Sequence, residues 1–212
     1  MTMRKRFLCF IFAWLALPAA AVTVDRIAAV VDNQVLTVSE VGQMVELRFF
    51  PRTGESEDDY RRNILDALIA QALRFRDVER FGAQDIAHDV IEARMVEIQR
   101  RFASPAEFDA AALRTELTPD EIRALVKRQL QVEAYIQERF APLVFVTNED
   151  VATYYAGPWT TQRRTRGLAV PPLAQVRDEV TAAVRASRLQ EEIEKWTGQL
   201  RARANVDIYA WR

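Results

Sequence analysis

Cysteine and histidine are almost missing from this chain: one of each in 212 residues, Cys9 and His88. That excludes a disulfide framework and a thiolate zinc site, and any other zinc or catalytic-triad constellation would need unusual ligands. Glycine is scarce too, six in all, and no Walker-type or G-x-G-x-x-G loop occurs, so no nucleotide site is implied. Neither sign of charge dominates, with 29 basic against 30 acidic residues. The basic excess of a nucleic-acid binder is absent. No apolar run reaches the roughly 20 residues that a membrane-spanning helix needs. The expectation is a protein with no metal, cofactor, nucleotide or nucleic-acid partner.

What is present begins with an export signal. Arg4, Lys5 and Arg6 precede an apolar stretch from Phe7 to Leu17, Pro18 breaks it, and Ala19-Ala20-Ala21 supplies small residues for cleavage. Residues 1–21 read as a secretory signal peptide cut after Ala21. Cys9 lies inside the apolar stretch and is badly placed for a lipoprotein anchor, so no stable membrane anchor is expected. Losing three basic residues takes the formal charge from −1 to −4.

Behind the signal, Ile27 to Val31 is a short β-prone run, and Asp32-Asn33 tolerate the positive φ of a tight hairpin turn. Val35-Leu36 returns, and Thr37-Val-Ser-Glu40 reads as a capping box opening a helix. Ser56 and Asp59 cap a second helix with its apolar stripe at Ile64, Leu65, Leu68, Ile69, Ala72, Phe75 and Val78, stopped by Gly82. Ile86 to Phe102 continues the pattern. Ser104-Pro105 and Thr118-Pro119 start two further helices, the second carrying Ile122, Leu125, Val126, Leu130 and Ile136. Thr147 to Tyr155 makes another capped helix. From 156 to 171 the periodicity lapses into connector chemistry. A long helix follows from about Leu173 to Arg203, and Val206 to Trp211 alternates like a strand. A lone terminal strand needs a partner, and the only other strand material is the N-terminal hairpin. The two ends are expected to meet in one sheet.

This order of elements resembles the SurA family of periplasmic chaperones. The residues carrying the resemblance are the hairpin into the Thr37 cap, Asn63 to Leu73 through Phe81-Gly82, and Ala103 to Phe108. Leu117 to Arg123, Val146 to Tyr155, Pro171 to Val180 and Leu189 to Ile208 complete it. The resemblance implies a mainly α fold: a multi-helix chaperone domain over 22–155, completed by the helix and strand of 172–212, with a small antiparallel sheet joining the hairpin to the C-terminal strand. In SurA-like proteins parvulin-type prolyl isomerase domains of about a hundred residues lie between the tyrosine-bearing helix and the final helix. Residues 156–171 occupy that place here, too few for a domain, and the histidines of a parvulin pocket are absent. The chaperone role carries over and the isomerase does not, so no enzyme is expected.

The implied partners are unfolded outer-membrane or other envelope proteins in the periplasm, held in an apolar groove. Flexible Met and aromatic side chains suit such promiscuous packing. The candidate client contacts are Met44, Leu47, Phe49 and Phe50 at the end of the first helix, with Met95, Phe102 and Phe108. Each such residue is more often simply part of a hydrophobic core. Other clusters have plain readings: Glu57-Asp58-Asp59 complements a helix dipole, and Glu191, Glu192 and Glu194 lie on a solvated face. His88 reads as a surface or satisfied helix residue. Two rivals remain, a residual prolyl isomerase and a dedicated assembly subunit with one envelope partner. The long final helix also allows a homodimer by exchange.

Overall fold

The structure, a computed structural model, describes residues 25–209. The expected signal peptide and Trp211 lie outside the described residues. Strands β1 (Ile27–Val31) and β2 (Gln34–Thr37) form the hairpin, turning at Asp32 with φ +52°. Helix α1 (Val38–Glu46) starts at once, because the Thr37 hydroxyl accepts from Glu40 N while Glu40 accepts from Thr37 N. Strand β3 (Val206–Ile208) joins the other edge of β1, so the order is β2-β1-β3, antiparallel throughout. The expected meeting of the two ends is realised. Asp32 fastens it: its N–H donates to Asn205 O at 2.7 Å, and its carboxylate accepts from Asn205 N and from the Arg76 guanidinium.

Helices α2 (Glu57–Phe81), α3 (His88–Gln99), α4 (Pro105–Arg114) and α5 (Pro119–Arg139) follow. Ser56, Ser104 and Thr118 cap α2, α4 and α5 as expected, and Gly82 stops α2 at φ +95°. Helix α1 ends earlier than expected. Arg48 takes φ +48°, so Phe49 and Phe50 lie beyond the helix. Helix α3 is likewise shorter, with Ile86 before it and Phe102 after it.

After a 3-10 turn at Ala141–Leu143 come α6 (Asn148–Tyr154), a π-helical turn at Tyr155–Trp159, α7 (Thr160–Thr165) and the long α8 (Leu173–Arg203). The stretch expected to be an irregular connector thus carries a helix. Its Gly157-Pro158 breakers are overridden by packing: Trp159 is buried, stacks on Tyr155 at 5.3 Å and is covered by Arg163. The Tyr155 hydroxyl donates to Pro171 O at 2.7 Å and closes the loop.

Three apolar clusters hold these elements. The largest lies between the sheet and α1 to α5, with Val41, Leu47, Ile64, Ile69, Leu73 and Val126 fully buried. Each such side chain contributes about 1.5–3 kcal/mol of burial. A second packs Tyr135, Phe140 and Trp196 where α2, α5 and α8 meet, and a third packs Val151 and Trp159 under Val180 and Val184 of α8. Among the described residues no helix is long and apolar enough to cross a membrane.

Candidate functional site: an apolar groove beside the hairpin

Four elements leave a concave gap on the surface. In β2 alternate residues share a face, which sets Gln34 and Leu36 toward it. Met44 enters from α1, Leu68 and Ala72 from successive turns of α2, and Leu117 and Leu125 from the opposite wall. Together they line a groove of about 280 Å³. Leu36, Met44 and Ala72 are buried, whereas Leu68, Leu117 and Leu125 are half-buried and open to solvent. The floor is aliphatic because the stripes of α2 and α5 are wider than the contact between the two helices, leaving their border leucines only partly covered.

The rim is polar. Glu40 and Glu121 project there from two capping boxes. The Thr118 main-chain N–H and hydroxyl hold the Glu121 carboxyl below its ordinary range, so it stays anionic. Gln43 donates to Thr115 O at 3.0 Å, and Arg128 lies 4.6 Å over the Phe75 ring. Chemically the site has an aliphatic surface, amide groups and fixed charges at its edges. Among the described residues no group of three or more His, Cys, Asp or Glu is placed to hold a metal.

Of the seven residues singled out from the sequence, six are buried and Phe50 is half-buried. Leu47, Phe49, Met95, Phe102 and Phe108 are buried in the main cluster. Phe49 meets Phe50 edge-on at 5.5 Å, and Phe102 meets Phe108 at 5.4 Å. Met44 alone of them lines the groove, and Phe50, half-buried, lines a neighbouring cavity. In this structure the set builds walls and presents little surface. Leu68 and Leu125, the open floor, were legible only as stripe positions. A border position on a helix is core or groove according to where the next helix stops.

Across most of its length the chain is similar to chaperone SurA of several Pseudomonas species. With that of Pseudomonas putida it shares 27% identity over 181 residues, 80% of this chain and 42% of the relative. With that of Pseudomonas syringae pathovar tomato it shares 24% over 192 residues, 85% of this chain and 45% of the relative. With that of Pseudomonas aeruginosa it shares 24% over 189 residues, 84% and 45%. The chain spans less than half the length of the curated relatives it matches. No protein-family model matches it.

Proposed function

We propose that this protein is an ATP-independent periplasmic chaperone that holds unfolded outer-membrane or other envelope precursors, with extended apolar segments seated in the groove of β2, α1, α2 and α5. The observation that carries the reading is the open aliphatic floor at Leu68, Leu117 and Leu125, in a chain similar to proteins named chaperone SurA. Holding is passive. A client side chain trades water for the leucine floor, and micromolar affinity, about 8 kcal/mol, permits release without nucleotide. Alternating strands of barrel precursors are suitable clients, since one apolar row fits the groove and the polar row stays wet. The signal peptide over 1–21 delivers the chain to the periplasm, and 22–155 with 172–212 form the holding unit. The role is non-enzymatic, because 156–171 carries a short helix where family members insert an isomerase.

Suppression of aggregation of an unfolded outer-membrane barrel protein tests this, with the wild type beside Leu68→Gln/Leu125→Gln. The variant should need about tenfold more protein for the same suppression. Wild-type failure at several-fold excess over client would end the reading. A dedicated assembly subunit is the second reading, and it draws on Leu143 and Phe145, 61% and 75% exposed on the segment before α6. A pull-down yielding one stoichiometric partner would select it.

A further inference from the structure

Next to the groove, sharing Gln71 with it, a second cavity of about 290 Å³ opens between α2 and α5. Its walls are apolar: Phe50, Ala67, Ala70, Val132 and Ile136. Two charged side chains reach it, and their situations differ. Both oxygens of Glu133 are taken by the Arg94 guanidinium, at 2.9 and 2.8 Å, and Gln129 donates to the same carboxylate at 3.0 Å. Among the described residues Arg74 has only a neutral partner. Its Nε donates to Thr197 Oγ1 at 2.7 Å, while that hydroxyl donates in turn to Ile193 O.

Among the described residues no carboxylate lies within ion-pair distance of Arg74, and its two terminal nitrogens make no hydrogen bond. Burial pulls its pKa down, opposed only by the more distant Glu194. Arginine does not lose its proton in proteins, so the cation persists, partly desolvated and without a counter-ion. Arg74 is half-buried and its terminal nitrogens stay open, so they keep their capacity to donate to an anion that enters the cavity. The guanidinium fork matches a carboxylate in two parallel hydrogen bonds.

We propose that this cavity binds an apolar monocarboxylate, with the carboxylate on the terminal nitrogens of Arg74 and the apolar group against Phe50, Val132 and Ile136. Two sources share this chemistry: a small aryl or alkyl acid, and the C-terminal residue of a polypeptide ending in an apolar side chain. The site shares Gln71 with the leucine groove but uses none of its leucines, so either can fail without the other.

Calorimetric titration of the full chain with 3-phenylpropionate, its primary amide and N-acetyl-Leu-Phe with a free C-terminus tests the assignment. The acid should bind about tenfold more tightly than the amide, and Arg74→Met should lose about tenfold in affinity for either acid. Thr197→Val removes the same interhelical hydrogen bond but keeps the guanidinium, so it should bind within about threefold of wild type. A urea midpoint for each variant certifies its fold. Tighter binding of the peptide or of the small acid identifies the source, and both outcomes support the site. Equal binding of acid and amide, unchanged binding by Arg74→Met, equal losses in Arg74→Met and Thr197→Val, or no binding at all would overturn it.

Discussion

Arg48 and Arg101 each donate a guanidinium hydrogen bond to the other's main chain: Arg48 Nη1 to Arg101 O at 2.5 Å, and Arg101 Nη1 to Arg48 O at 2.6 Å. Arg101 also reaches Phe49 O at 2.6 Å, while Arg48 lies 4.4 Å over the Phe102 ring and pairs with Glu107. This reciprocal tie joins the end of α1 to the turn between α3 and α4, with Phe49 and Phe102 beneath it. Charge-assisted hydrogen bonds of this type contribute about 1.5–3 kcal/mol each. Arg48→Ala and Arg101→Ala should each destabilise by about 1–3 kcal/mol. Each guanidinium donates to a main-chain carbonyl that the other substitution leaves in place, so the double variant should cost less than the two losses combined only as far as losing one bond loosens the two segments and weakens the other. Urea unfolding of the four proteins measures the coupling, and strict additivity would show two independent residues.

The clasp at Asp32 should govern how the C-terminal strand docks. Asp32→Ala removes the acceptor for Asn205 N and for Arg76 and strains a position at φ +52°. Amide exchange at Val206 to Ile208 should accelerate far more than at Ile64 to Leu73. Uniform acceleration would mean that β3 and the helical core open as one unit.

Burial of Trp159 underpins the α6–α7 region. Trp159→Ala removes the ring from beneath α8 and should cost about 3–5 kcal/mol in that cluster. The loss should register as exchange of Asn148–Tyr154 amides with the main cluster still protected. If the cost is under about 1 kcal/mol, the packing of this turn contributes little.

Acidification should weaken the helix starts. Asp59 and Asp150 are held below their ordinary value of 3.8 chiefly by the Ser56 and Thr147 hydroxyls, Asp85 by Lys127, and Glu121 below 4.5 by the Thr118 N–H. A carboxyl depressed in the folded state stabilises it above the ordinary value, and that contribution disappears as pH falls through the folded value. The thermal midpoint should be level from neutrality to about pH 5 and then drop steadily below about pH 4.5. Glu121→Gln should flatten this acid limb. These groups are solvent-exposed, so added salt should shrink the contribution of Asp85 most, its partner being a charge.

Removing the groove floor should separate function from folding. Leu68 and Leu125 are half-buried, so their replacement by Gln should move the urea midpoint less than truncation of the fully buried Ile69 to Ala, which costs about 2–5 kcal/mol. If the double variant unfolds as readily as Ile69→Ala, those leucines belong to the core.

Local chemistry made much of the fold legible. Thr37-x-x-Glu40, Thr118-x-x-Glu121 and Thr147-x-x-Asp150 each close a capping box where the spacing places it, because such boxes involve only neighbours in sequence. The terminal strand was readable by elimination: an alternating segment with one available partner. The helix at Thr160–Thr165 was not. Its formation rests on Trp159 finding α8, a contact with residues some twenty or more positions away, and no window of sequence records it.

Composition alone set the expectation of which chemistries this chain lacks, and capping and periodicity marked the starts of α1, α2, α4, α5 and α6. Those starts depend on a few bonds within one turn of chain. Tertiary structure decided which apolar residues stay open. It sent Phe49, Met95, Phe102 and Phe108 inward, left Leu68 and Leu125 half-exposed along the groove, and left Arg74 beside an apolar cavity with no carboxylate partner among the described residues. Exposure is a property of the gap between two elements, set by how several helices and a sheet pack at once, and no single segment of sequence contains that gap.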